Sequence, residues 1–363
     1  MQNDLFCYKS RFLTFSLLLG YAYLHTKLTG VYVDASLNQM FELTARLPFG
    51  QRILVPSLAR LLSHLLPISV DHLFFLMEWL FISLTYFVLV TLFTLEFTKR
   101  QSKMFSWLFI LLLPLMSVIN YRYTVMGEAT FFYPSDTATL FFMLAGFVLC
   151  LREKWFIFIL LVFVATFNRE SSLLLILMIP ALHWQSKKNI LKPTMLAFIA
   201  YVLARLIVFK IIDGVPGHVL EWYFSRSHYT HFNINLVWLL NEQHLLMFPF
   251  CFAGLPLFWF VFYDYIPTLY RPLKYVALFS FLVVLLVGNF MEARVFSEIL
   301  ILLYLPVCIA ITRWITGQAA YSTDSPGILY YLDRYAILGV LALIVICRNF
   351  LDPYVIWLSH HSP

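Results

Sequence analysis

The stretch HLFFLMEWLFISLTYFVLVTLFTLEF, residues 72–97, decides the fold. It is apolar apart from His72, Glu78, Glu96 and a few hydroxyl side chains, and it exceeds the ~20 residues a helix needs to cross a hydrocarbon layer. The rest of the chain has the same character. Of 363 residues 61% are apolar and 12% charged, with a mean hydropathy of +0.82, far from the balance of a water-soluble domain. The solvent of such a chain is mostly lipid, so its backbone groups must pair within helices. The reading is an all-α, polytopic integral membrane protein.

Working outward in ~20-residue windows broken by charges, prolines and polar clusters, the spans fall near 12–28, 72–97, 104–120, 136–151, 155–167, 171–185, 193–212, 244–263, 274–290, 297–315 and 335–350. That makes about eleven transmembrane helices in one domain over 1–363. The first window follows Lys9 and Arg11 without a small-residue cleavage site, so it reads as a helix and not as a signal peptide. Ile53 to Leu66 is short and carries Pro56, Arg60 and His64, which suits an interfacial or re-entrant helix.

Parity sets the orientation, because short cytoplasmic loops collect Lys and Arg. With the N-terminus inside, Lys99-Arg100 with Lys103, Arg152 with Lys154, Lys187-Lys188 with Lys192, Arg271 with Lys274, and Arg313 all fall on the inner side. The outer side receives the longer segments near 29–71, 121–135 and 213–243. These hold Asp34, Glu42, Arg46, Arg52, Arg122, Glu128, Glu221 and Arg226. Positive charge on that side calls for an explanation, and an anionic ligand supplies one. The compact chain with short loops is expected in a bacterial inner membrane.

The segments on either side of Asn168-Arg169-Glu170 are too short to cross ~30 Å of hydrocarbon as helix. This polar turn is therefore expected below the outer surface, in a cavity open to that side. Glu292 and Arg294, with Glu298, form a second charged hairpin tip on the same side. Asp136 opens the fourth span after Tyr133-Pro134-Ser135, where a carboxylate suits a helix N-terminus. Glu78 and Arg205 lie inside spans, and a structural pair between them is the plainest reading. For the two hairpin tips the plain alternative is a set of local salt bridges. Ionisable residues at membrane depth are otherwise functional by default.

Several classes are excluded or disfavoured. The net charge of +6 is scattered through loops and makes no basic face for nucleic acid. Cys7, Cys150, Cys251, Cys308 and Cys347 have no Cys-x-x-Cys spacing, and the last four read as small buried hydrophobes. His228-x-x-His231 has a chelating spacing, but no Cys or adjacent carboxylate completes a set, so surface histidines are the reading preferred there. No Gly-rich phosphate loop, Gly-x-Ser-x-Gly or His-Glu-x-x-His occurs. A lipid-borne substrate suits this chain better than a nucleotide held by a soluble fold.

Four stretches carry a family likeness: Val33-Asp34-Ala35 in a long first outer loop continuing through Leu47-Pro48-Phe49-Gly50-Gln51-Arg52, then Pro134-Ser135-Asp136, Phe167-Asn168-Arg169-Glu170-Ser171, and Glu292-Ala293-Arg294-Val295-Phe296-Ser297-Glu298. With the topology, they make the chain resemble the GT-C superfamily of polytopic glycosyltransferases that use polyprenyl-phosphate sugars. The first loop departs from that pattern by offering Asp34 with Glu42 and no adjacent acidic pair.

The resemblance implies transfer of a sugar from a polyprenyl-phosphate donor to a glycan, lipid or protein acceptor at the periplasmic face. It places the general base in the first outer loop, hence Asp34. The leaving lipid phosphate needs cationic donors. Arg169 and Arg294 are the candidates, with Arg52 and Arg205 behind them. Asn168, Glu170, Asp136, Glu292 and Glu298 would then orient guanidiniums or bind sugar hydroxyls. No cofactor is implied; a divalent metal is compatible but not demanded. A transporter or flippase of an anionic or lipid-linked substrate is the first alternative, an outer-leaflet glycan polymerase or ligase the second, and a purely structural membrane subunit the third.

Overall fold

The computed structural model describes residues 2–118, 130–184, 190–224, 227–321 and 327–361. Arg122, Glu128, Lys187, Lys188 and Arg226, and most of the loop 121–135, lie outside these residues. The described residues are all-helical. Extended backbone pairs only in isolated bridges, Gly30 with Phe131, Leu47 with Gly217 and Tyr223 with Thr230.

The chain divides into two compact units, one of Met1–Leu175 with Met195–Gly217 and one of Ile176–Thr194 with His218–Pro363. The first begins with α1 (Gln2–Lys27), a short α2 (Leu37–Phe41) and α3 (Leu54–Ser63). It continues with α4 (Val70–Phe93), α5 (Lys99–Leu112), one turn of α6 (Pro114–Ser117), α7 (Ser135–Leu151) and α8 (Trp155–Asn168). α9 (Leu173–Leu182) passes into the second unit at Ile176, and α10 (Leu191–Ile211) returns to the first at Met195.

α4 is the hub of this unit, packed on α1, α3, α5 and α7. Its apolar side chains Leu73, Phe74, Phe81, Ile82, Leu89 and Phe93 are buried there. Polar ties fix the register. Trp107 Nε1 of α5 donates to Thr14 Oγ1 of α1 at 2.9 Å, and Tyr21 Oη donates to Ser117 Oγ at 3.2 Å. α7 meets α9 closely at Gly146, where an added Cβ would lie 2.4 Å from Leu175 Cδ2.

The second unit holds α11 (His231–Leu240), α12 (Glu242–Met247), α13 (Leu255–Val261), α14 (Leu273–Val287), α15 (Ser297–Ile315), α16 (Ile328–Ile346) and α17 (Arg348–His361). α15 packs on α13 and α14 and is buried along most of its length, from Ser297 to Ala310. Phe248, Phe252, Phe281, Phe290 and Phe296 form one aromatic cluster at its N-terminal end. Asn235 of α11 closes the end of α14. Its Nδ2 donates to Leu285 and Gly288 carbonyls at 3.1 and 2.7 Å, and its Oδ1 accepts from Phe290 N–H at 3.0 Å.

Several expectations change here. By length and composition three helices among the described residues can cross a membrane, Val70–Phe93, Leu191–Ile211 and Ala293–Ile315. Counting each of two bent pairs as one span, His244–Phe252 with Leu255–Val261 at 84° and Tyr330–Ile346 with Arg348–His361 at 83°, raises that to five. The hydropathy windows counted eleven because they also took in apolar helices of 10–17 residues, such as α7, α8 and α14. Residues 213–243 are not simply a loop, since they contain α11, and the chain beyond residue 350 continues as α17. The short helix expected after Ile53 is present as α3.

Large apolar side chains face outward in number. On α10 these include Leu196, Phe198, Ile199, Leu203, Leu206 and Ile207. Such outward apolar side chains are compatible with a surface that faces lipid.

Candidate functional site

The densest polar cluster of the first unit sits where α8 ends. Asn168 closes α8, Arg169 adopts extended backbone, and Glu170 starts a short 3-10 turn (Glu170–Ser172) before α9. The helix stops because side chains here bind across to α7. Asn168 Nδ2 donates to the Ser135 carbonyl at 3.0 Å and to Thr139 Oγ1 at 2.9 Å. Arg169 Nη1 meets Asp136 Oδ1 at 3.3 Å, with both side chains buried. Thr166 and Ser172 hydroxyls join across the turn at 2.9 Å.

Three further groups surround Glu170. Arg52 lies 3.6 Å from its carboxylate, Tyr201 Oη donates to its backbone carbonyl at 3.2 Å, and the guanidiniums of Arg52, Arg169 and Arg205 all act on its charge. Arg205 is held by Gln51, to which Nη2 donates at 2.6 Å, and by the Phe209 ring 4.6 Å from its guanidinium carbon. Among the described residues, three guanidiniums gather around the carboxylates of Asp136 and Glu170. Two small cavities border it, one beside Arg169 lined by Thr139, Met143, Asn168 and Ser172, the other beside Arg52 lined by Met40, Phe49, Tyr133 and Ser135.

Arg52 is placed by its loop. Phe49 and Tyr133 stack with ring centroids 4.9 Å apart, and the Arg52 guanidinium carbon lies 5.6 and 5.9 Å from those rings. Gly50 permits the tight loop, because an added Cβ would stand 2.3 Å from the Ala45 carbonyl oxygen. Leu47 N–H donates to the Pro216 carbonyl at 2.9 Å, pinning the loop to the segment after α10.

Asp34 lies in a separate part of this loop system. It sits in a 3-10 turn, half-buried, with Arg46 Nη1 3.4 Å from its carboxylate, and among the described residues it makes no pair with Arg169. The expected Glu78–Arg205 contact is not formed. Glu78 is fully buried on α4, where its Oε1 lies 2.8 Å from His25 Nδ1 and accepts from Thr137 Oγ1 at 2.5 Å. The salt bridges of the first tip also run to other elements, Asp136 and Arg52, and not within the hairpin. Packing chooses among several carboxylates and cations of equal chemistry, and sequence distance does not rank them.

The second tip behaves as a local salt bridge. Glu292, Arg294 and Glu298 lie in the second unit, and Arg294 Nε donates to Glu292 Oε2 at 2.8 Å, with a second contact from Nη2. Glu298 is buried at the start of α15.

The histidine motif divides. His228 is exposed, whereas His231 is buried in the first turn of α11, where burial lowers its pKa to about 4. The surface reading therefore fails for His231. Among the described residues no three side chains of metal-ligating type gather. Cys150, Cys251 and Cys308 are buried, as small hydrophobes would be, and Cys347 is half-buried.

Reading the sequence missed His25, Gln51, Thr137 and Thr139. His25 had a usable signal, a titratable side chain near the end of an apolar window. The hydroxyl and amide groups had none, because such residues occur throughout the chain. Comparison with protein-family models and with curated proteins gives no match, so a functional reading rests on the residues themselves.

Proposed function

We propose that the chain is a GT-C-like glycosyltransferase of a bacterial inner membrane, with its N-terminus cytoplasmic and about eleven membrane segments, short ones included. It moves a sugar from a polyprenyl-phosphate donor to an acceptor at the periplasmic face. The observation that carries this reading is the gathering of Arg52, Arg169 and Arg205 around Glu170, at the end of a helix too short to cross the bilayer. A largely desolvated gathering of planar guanidiniums suits a phosphate monoester or diester on a lipid.

In this mechanism Arg52 and Arg169 stabilise the charge that develops on the leaving lipid phosphate. Asp136 and Glu170 hold those guanidiniums in place between turnovers. Asp34, accessible on the outer loop, accepts the acceptor hydroxyl proton as that oxygen attacks the anomeric carbon.

The test uses membranes containing the full chain, supplied with a labelled polyprenyl-phosphate sugar. Arg169→Lys is expected to lower transfer by one to two orders of magnitude, since an ammonium gives no bidentate contact. Asp34→Asn is expected to abolish transfer while the donor still binds. Unchanged transfer in Arg169→Lys would reduce the cluster to a structural tie.

A second reading, a transporter, is favoured by one observation. The His25–Glu78–Thr137 group is fully buried across α1, α4 and α7, as a proton or substrate path requires. Counterflow of a labelled solute in proteoliposomes, abolished by Glu78→Gln, would select it over the enzyme.

A further inference from the structure

The second unit contains a cavity of about 330 Å³ between α11 and α17 that the proposed transfer reaction does not use. Its floor is apolar, formed by Phe232, Leu236 and Val237 of α11, with Pro353 opposite. Its polar edge comes from Arg348, Asn349 and Asp352 of α17 and Asn233 of α11.

The polar groups are of two kinds. Asp352 is anchored, accepting from Thr230 Oγ1 at 3.1 Å and from Asn233 Nδ2 at 3.5 Å. These donors hold a carboxylate at the edge of the cavity without neutralising it. Arg348 stands one helical turn earlier on the same face, about 6 Å along the axis. It is exposed, and no carboxylate of the described residues pairs with it. Asn349 beside it is exposed as well.

The surroundings are those of a membrane interface. α16 is apolar and α17 leaves it at 83°, so a membrane-crossing α16 lays α17 along the bilayer surface. α17 exposes Phe350, Tyr354, Trp357 and Leu358, the side chains that settle at headgroup depth. Tyr223 Oη and Ser359 Oγ, 2.8 Å apart, hold its far end to the rest of the unit.

A cation and an uncompensated carboxylate one turn apart, over an apolar floor at the interface, match a ligand with the opposite charges on a short spacer and an apolar body. We infer that this cavity binds the headgroup of a phosphoethanolamine lipid. The phosphate meets Arg348 and Asn349, the primary ammonium meets Asp352, and the first acyl carbons lie on Phe232, Leu236 and Val237. A choline headgroup has no N–H to give Asp352, and a glycerol headgroup has no cation. The site should therefore rank the ethanolamine lipid above both.

The test is native mass spectrometry of the full chain in detergent, titrated with phosphatidylethanolamine, phosphatidylcholine or phosphatidylglycerol of the same acyl chains. The ethanolamine lipid should be retained roughly ten-fold better than either, the worth of one charge-assisted hydrogen bond. Asp352→Asn should erase its advantage over phosphatidylcholine, and Arg348→Gln should weaken all three. Val237→Trp, at an exposed position, fills the cavity without touching the polar edge and should also remove the preference, which covers the case of an unstable Asp352 variant. Equal retention of ethanolamine and choline lipids, or a preference that survives Asp352→Asn or Val237→Trp, would overturn the inference. So would displacement of the lipid by soluble phosphoethanolamine at equal concentration, which would show that the apolar floor adds nothing. None of these outcomes depends on whether the chain transfers sugars.

Discussion

Asn168 and His231 show what single buried polar residues do in this protein. Asn168 spends both amide hydrogens on α7, so Asn168→Ala should leave the Ser135 carbonyl and Thr139 hydroxyl without that donor and destabilise the fold by about 1–3 kcal/mol. Thermal unfolding in detergent micelles, compared with the unaltered chain, measures it. His231 makes a pH prediction. Burial holds its pKa at about 4, below the ordinary ~6.5, so the folded state keeps the ring neutral while the unfolded chain takes up a proton. Stability is complete above ~6.5 and is lost as pH falls towards 4, by on the order of 3 kcal/mol. His231→Phe should flatten that acid dependence, and urea or thermal titration between pH 7 and 4 would detect its persistence.

At the scale of elements, the loop Leu47 to Arg52 and the end of α8 together make the cluster. Gly50→Ala drives a methyl group into the Ala45 carbonyl, so the loop backbone must move and Arg52 with it. The expected outcome is a loss of at least 1–2 kcal/mol of stability, with weaker anionic-lipid binding, read by thermal unfolding and lipid titration on the same preparation. The helical elements were largely legible in the sequence, since windows at 72–97, 136–151, 155–167, 193–212 and 297–315 fall on α4, α7, α8, α10 and α15. α11 was not. It sits in a stretch rich in polar residues, and its helix is secured by Thr230, which accepts from Asn233 N–H, and by the Asn235 contacts with α14. α17 was hidden because Pro353 and several polar residues break its apolar run, whereas tertiary contact with α11 supports it.

Over the whole molecule, the outward apolar side chains make a test of the solvent. A spin label at Leu203→Cys on α10 should collide more often with dissolved oxygen than with a water-soluble nickel complex in proteoliposomes. The reverse order would place α10 in water. Composition already pointed to lipid as the medium, since 61% apolar and 12% charged residues lie far from the balance of a water-soluble domain. Helical structure followed from the same fact, because a backbone in hydrocarbon satisfies its hydrogen bonds within each segment. The candidate residues Asp136, Asn168, Arg169, Glu170, Arg52 and Arg205 were also visible beforehand as charges or amides in or beside apolar runs. Their partners were not. Which polar group meets which was decided by packing: Asp136 with Arg169, Glu170 with Arg52, Glu78 with His25 and Arg205 with Gln51. The physical reason is that hydropathy is local and additive along a chain. Relief of a buried charge instead depends on the one opposite group that the tertiary fold brings within about 4 Å.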